Sequence, residues 1–191
     1  AGVQARGWKP NDPRKDLPYG DVKNVILNVD LEAMVKETVG RFVDDRVIPL
    51  MREAFEKHEF PGHLVSEVAE LGLLGSSIDG YDCAGMNSVS YGLICQELER
   101  GDSGLRSFVS VQTSLVMFPI LQWASREQQK RWIPALGKGD AVGCFGLTEP
   151  DFGSNPGGMI TRARRDGSDW ILNGAKMWIT NGSIADVSLV W

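Results

Sequence analysis

The sequence predicts an α+β protein: an all-α helical bundle followed by an antiparallel β domain that is incomplete within these residues. Two observations carry that reading. Apolar residues recur at helical spacing from Asp30 to about Gly137, and after Asp140 the period drops to two, punctuated by Asp-Gly and Asn-Gly dipeptides. Composition agrees, since 42% hydrophobic and 24% charged residues are the balance of a globular chain with a core. The 191 residues divide into an extended N-terminal arm (1–29), a helical domain (30–139) and the start of a β domain (140–191).

The arm is rich in Pro, Asp and Lys and reads as extended chain over the surface. Asp30 suits a helix N-cap, and Leu31, Met34, Val35, Val39, Phe42 and Val43 fall on one stripe behind it. Pro49 should kink or end that helix, with Met51–His58 continuing it or forming a further turn. Pro61 can open a helix that buries Leu64, Val65, Val68 and Leu71 and closes at Gly72 and Gly75. A further helix runs from Ser88 to Arg100 through Leu93, Ile94 and Leu98. The next spans about Ser103–Ala124, with Phe108, Val109, Gln112, Leu115 and Val116 on a mostly apolar face. Ser125-Arg-Glu-Gln128 reads as a capping box opening a helix that ends at Gly137.

Beyond Asp140, strands are expected at 141–147, 160–165, 170–172, 175–180 and 186–191, with turns at Asp166-Gly167, Asn173-Gly174 and Asn181-Gly182. Trp191 falls inside an alternating apolar run. An unpaired apolar edge of that kind is an aggregation hazard, so either the rest of the β domain is expected on another segment or chain, or residue 191 is not a natural end.

Charge and cysteine content narrow the function classes. The formal net charge of −5 argues against nucleic acid as the main partner, which would need a basic surface. Arg162, Arg164 and Arg165 could meet an anionic ligand, or simply form a solvated strand face. Cys83, Cys95 and Cys144 have neither metal-ligand nor redox spacing, which suits reduced thiols in a reducing compartment. His58 and His63 straddle Pro61 and share no helical face for a metal; surface or capping roles suit both. No apolar run approaches the roughly 20 residues of a membrane span, and residues 1–30 lack the apolar centre of a secretion signal. A cytoplasmic protein is expected, or a mitochondrial-matrix one if the N-terminus, which begins at Ala1, is processed.

The chemistry is concentrated in two segments. Cys144-Phe-Gly-Leu-Thr-Glu-Pro-Asp-Phe-Gly-Ser-Asn-Pro-Gly-Gly158 is a short apolar run ending in an acid, a proline and glycines, and Lys176-Met-Trp-Ile-Thr-Asn-Gly182 follows it. Glycine lets backbone approach a ligand, Thr148, Ser154 and Thr180 supply hydroxyls, and Trp178 offers a flat face for a planar ring. Each segment alone is also ordinary turn or strand chemistry.

Taken together, and with Gly80-Tyr-Asp-Cys-Ala-Gly-Met86, Glu97-Leu-Glu-Arg-Gly-Asp-Ser-Gly-Leu-Arg-Ser107 and Ser110-Val-Gln-Thr-Ser-Leu-Val-Met117, they resemble the acyl-CoA dehydrogenase family, within it the glutaryl-CoA dehydrogenase type. The resemblance runs from about residue 30 to 191 and corresponds to roughly the first half of a family member. It implies FAD as cofactor, held without a Rossmann turn. Phe145, Leu147 and Thr148 would line the isoalloxazine ring, and Gly153 and Ser154 would approach the phosphate-bearing tail, Ser154 also meeting the CoA portion. Trp178, Ile179 and Thr180 would form the second flavin contact. Asn155 stands where the family usually has Asp.

The same resemblance implies that Arg106 and Ser107 bind substrate, the guanidinium pairing with the distal carboxylate of a dicarboxylic acyl chain, with Glu99 beside the acyl pocket. From the residues alone, Arg106 could instead pair with Glu97, Glu99 or Asp102, because an unpaired buried charge costs several kcal/mol. The implied reaction removes the proton next to the thioester carbonyl while hydride passes from the next carbon to flavin; in the glutaryl type carbon dioxide then leaves, giving crotonyl-CoA. The family's catalytic glutamate belongs to a C-terminal helical domain outside these residues, so no catalytic base is assigned. Implied partners are an acyl-CoA substrate, an electron-transfer flavoprotein or similar acceptor, and further copies in a homotetramer. Two alternatives stand beside this: a non-catalytic or split subunit, and an acyl-CoA dehydrogenase that does not decarboxylate.

Overall fold

Two long rods with a widened turn before a proline form the frame of the helical part. The computed structural model describes residues 22–191, with side chains from Val29 onward; residues 1–21 of the expected arm lie outside the described residues. Helix α1 (Val22–Phe42) passes through a π-helical turn, Val43–Val47, into α2 (Ile48–Lys57) without leaving right-handed helical backbone. Pro49 has no N–H to give and its ring crowds the carbonyl four residues back, and the wide turn ahead of it absorbs that conflict in place of a break. The helix starts ahead of Asp30, which therefore sits within α1 and does not cap it. Its inward stripe is Val39, Phe42, Val43 and Val47, whereas Leu31 and Met34, expected inside, are exposed.

His58 closes α2 in the left-handed conformation, its N–H donating to Ala54 and Phe55 carbonyls. Helix α3 (Leu64–Glu70) buries Leu64, Val65 and Val68 and leads into left-handed turns at Gly72 and Gly75. Helix α4 (Ser88–Gly101) is capped by Asn87, whose side chain accepts from Ser90 N, and packs along α1. Asp102 caps the next rod in the same way through Leu105 N.

That rod is α5 (Ser103–Ser110), a π-helical stretch Val111–Met117, and α6 (Phe118–Trp123), again with the wide turns directly before a proline, Pro119. Contrary to the expectation from apolar runs, Ser103–Trp123 is long and apolar enough by length and composition to cross a membrane, but half of its apolar window is buried inside the protein. Leu105, Phe108, Val109, Val116 and Met117 are in the core; Leu115, expected on the inner face, is exposed. Helix α7 (Arg126–Gly137) begins at the expected capping box, with Gln128 N donating to Ser125 Oγ and Ser125 N to Gln128 Oε1.

The β part is arranged differently from the expectation. Strand β1 (Gly143–Gly146) pairs with β4 (Val187–Val190) in parallel, Gly143 opposite Val187 and Gly146 opposite Val190. Strands β2 (Arg162–Asp166) and β3 (Asp169–Asn173) form the one antiparallel hairpin among the described residues, turning at Gly167-Ser168 with Gly167 at φ +63°. The parallel pairing follows from the connection. Between β1 and β4 the chain makes an excursion through the hairpin and returns to the same end, whereas a tight turn would have forced an antiparallel mate. No strand forms at 175–180: Trp178 and Asn181 take left-handed backbone, which ends any ladder there.

One buried side chain ties the two parts. Gln112, fully buried, donates from Nε2 to the carbonyls of Leu136 and Ala141 and accepts at Oε1 from Gly143 N. Val116 lies so close to Gly143 that a Cβ there would sit 2.4 Å from its methyl. The second core cluster, including Ile78, Val116, Met117, Ile133 and Leu136, continues into Val187 and Leu189 of β4.

Candidate functional site

Strand β1 carries the first segment outward from the core. Phe145 is half-buried against the Trp191 ring, centroids 5.7 Å apart, and Leu147 and Thr148 follow at the strand's exit, also half-buried. The second segment lies directly against this exit: Met177 N donates to Thr148 O at 2.9 Å, and Lys176 Nζ to Leu147 O at 3.0 Å. The two motifs are therefore adjacent in space. Gly153 and Ser154 sit on the exposed loop, where Phe152 doubles back over Gly158 so tightly that a Cβ on Gly158 would meet its ring at 2.4 Å.

Trp178 is 82% exposed and stands at φ +59°. For a bulky side chain this is a true backbone outlier, a state that persists only where the surroundings over-determine it. Asn181, itself at φ +66°, holds the far side by donating from Nδ2 to Gly143 O. Ile179 is half-buried, and Thr180 is exposed on the turn.

Glu149 and Lys176 had no role in the sequence reading, although both stand in the quoted motifs. The Glu149 side chain is 1% exposed and accepts from Ile160 N (2.8 Å), Thr161 N (3.0 Å) and Lys176 Nζ (2.8 Å). The backbone N–H of Ile160, then Lys176, hold its carboxyl down to about 2. A carboxyl that acidic is a poor proton acceptor at neutral pH, which removes Glu149 as a catalytic base. Its folded-state pKa lies below the ordinary 4.5, so the stability it contributes is complete above that pH and is lost as pH falls from 4.5 towards 2. Acid unfolding followed by fluorescence should show that loss in the native protein, and Glu149→Gln should flatten the curve over that window.

The second cluster lies on α4 and α5. Of the three carboxylates open to Arg106, it takes Glu99: Nε donates to Glu99 Oε2 at 2.5 Å, and Nη1 to Ser110 Oγ at 3.3 Å. Glu97 is committed to Arg100 and Asp102 to capping α5. The Ser103 hydroxyl donates to the other Glu99 oxygen, and Ser103 and then Arg106 lower the Glu99 carboxyl. The Arg106 side chain is 35% exposed, so its charge is neither buried nor unpaired. Ser107 is half-buried on the same turn, its carbonyl accepting from Ser110 Oγ. Tyr91, Cys95 and Glu99 repeat every fourth residue on α4, facing Arg106, Ser110 and Ser114 on the neighbouring rod, with Tyr91 OH 2.9 Å from Ser114 Oγ. The rod that carries Arg106 also carries Gln112, so both clusters are anchored to one helix.

Residues 30–140 match the acyl-CoA dehydrogenase N-terminal domain, and residues 144–191 match the acyl-CoA dehydrogenase middle domain. The chain belongs to the acyl-CoA dehydrogenase family. It is 35% identical over 190 residues to the short-chain specific acyl-CoA dehydrogenase, mitochondrial, of Rattus norvegicus, covering 99% of this chain and 44% of that protein. A glutaryl-CoA dehydrogenase from Mycobacterium smegmatis, solved in complex with FADH2, superposes with a TM-score of 0.82 at 62% identity, over 84% of this chain and 42% of that one. A structure described as the electron transferring flavoprotein of Acidaminococcus fermentans superposes at 0.79 with 32% identity, over 83% and 42%. The chain thus spans less than half the length of these acyl-CoA dehydrogenase relatives.

Proposed function

We propose that this chain supplies the flavin cradle and part of the acyl pocket of an FAD-dependent acyl-CoA dehydrogenase acting on glutaryl-CoA, which it oxidises and decarboxylates to crotonyl-CoA. The observation that carries the reading is the Met177 N to Thr148 O bond, which sets the two motifs side by side with the Trp178 indole uncovered. The residues fit a flavin. A bare indole face suits a planar ring, and the exposed Ser154 leaves a hydroxyl for a polar tail. Gly153 has open space where a Cβ would stand, so backbone can approach a phosphate. When bound, FAD would supply the hydride acceptor.

The chain's own residues would do the rest. Phe145, Leu147 and Thr148 would border the ring on the strand side, with Trp178, Ile179 and Thr180 on the other; Ser154 would meet the CoA portion. Arg106 would receive the distal carboxylate, with Ser107 and Glu99 at the same end of the pocket. The base that takes the α-proton would come from residues outside this set, since Glu149 is too acidic. Electrons would leave to an electron-transfer flavoprotein or similar acceptor, and the assembly would be a homotetramer.

The 62% identity to a glutaryl-CoA dehydrogenase supports the substrate. One observation favours a second reading, desaturation without decarboxylation: Arg106 is already paired with Glu99, and the rat relative is a short-chain enzyme. After incubation with FAD and removal of free flavin, the protein should retain a flavin absorption band with quenched emission, and Trp178→Phe should restore that emission. Absence of any flavin binding by the protein would end the flavin reading. Carbon dioxide release from glutaryl-CoA separates the two chemistries.

A further inference from the structure

Three stretches of chain converge on one buried ion pair. Glu149, at the exit of β1, accepts from Ile160 N and Thr161 N, so it holds the turn that starts the hairpin. Its third donor is Lys176 Nζ, whose side chain is only 13% exposed and which also donates to Leu147 O. Lys176 lies two residues before Trp178, and the backbone between them is tied down by Met177 N to Thr148 O. On the far side, Asn181 Nδ2 to Gly143 O and Gly182 N to Ile179 O close the turn. The exposed, left-handed Trp178 is thus bracketed by anchors at 176 and 181.

Stability alone accounts poorly for such a pair. Two charges withdrawn from water are repaid only when hydrogen bonding is complete, and an apolar pair of similar volume is often as stable. This pair is completely bonded, and its lysine stands two residues before Trp178, whose left-handed backbone is strained for a bulky side chain. We infer that Glu149 and Lys176 are positioning residues: their ion pair clamps the 176–182 turn onto the end of β1 and so holds the Trp178 indole at a set angle to the ligand ring. The inference rests on the flavin reading for the identity of that ring, but the clamp itself is a property of this chain.

The test compares Lys176→Met, Lys176→Arg and Trp178→Phe in the FAD-saturated protein. Lys176→Met should bind FAD about tenfold more weakly and, once saturated, should release flavin emission as Trp178→Phe does. Lys176→Arg, which can keep the pair, should restore the quench. If Lys176→Met does not fold, Glu149→Gln combined with Lys176→Met replaces it, leaving a neutral pair with no ionic clamp. Should the native protein bind no flavin, hydrogen exchange at the Met177 amide and acrylamide quenching of Trp178 read the clamp directly, and both should rise in the variant. Wild-type quench in a saturated variant, or unchanged exchange and quenching where no flavin binds, overturns the assignment. Loss of the quench without loss of affinity would still support the clamp, because emission reports the indole's position and not the stability of the fold.

Discussion

Arg106→Ala should weaken glutaryl-CoA binding on the order of 100-fold, the loss that follows when one member of a hydrogen-bonded charge pair is removed, while butyryl-CoA binding changes little. The guanidinium is oriented by its own neighbours: Glu99 takes Nε and Ser110 takes Nη1, and the remaining donors of the planar fork are those that would meet a carboxylate in the proposed role. Glu99 raises the affinity of Arg106 for its proton, so its charge is permanent over any working pH. An exposed ion pair of this kind contributes about 0–1 kcal/mol to stability, so the variant should fold and the comparison of two thioesters should be readable. Arg106→Lys should fall between, because an ammonium keeps the charge and loses the fork. Equal losses for glutaryl-CoA and butyryl-CoA, measured by isothermal titration, would remove the dicarboxylate role and leave Arg106 as the partner of Glu99.

Gln112→Leu should be the most damaging single substitution away from the site, costing about 3–5 kcal/mol and lowering the melting temperature on the order of 10 °C. The amide reaches the Leu136 and Ala141 carbonyls and the Gly143 N–H from a fully buried position. A leucine of similar size fills the volume but strands all three backbone groups at the join between bundle and sheet. Since β1 carries Phe145, Leu147 and Thr148, flavin binding should fall with it. A shift of only a degree or two by calorimetry would mean that water or a relaxed backbone takes over those bonds.

Several parts of this molecule were legible from residues a few positions apart. The capping box at Ser125 and Gln128 and the helix end at Gly137 form as read, and the hairpin forms with its turn one residue on, at Gly167-Ser168, because a cap or a turn is decided by groups within one turn of chain. The two motifs that meet at Met177 and Thr148 were also legible, as a resemblance carried by their order and spacing. The start of α1 was not. Asp30 looks like a cap, but the preceding apolar residues extend the helix and the acid stays within it. The strand expected at 175–180 failed for a related reason: Trp-Ile-Thr has strand propensity, and the anchors at Lys176 and Asn181 override it by forcing left-handed backbone.

By itself, then, the order of residues determined the α+β class, most helix ends, the hairpin and the family. Only the folded chain decided that β1 and β4 run in parallel, that Arg106 selects Glu99 over Glu97 and Asp102, that Gln112 pins the sheet to the bundle, and that Glu149 meets Lys176 at the exit of β1. The division has one cause. Periodicity, caps and turns are local and cost little chain entropy to form, whereas a buried polar partner is chosen among all groups that packing brings within about 3 Å, and that choice exists only once the core has closed.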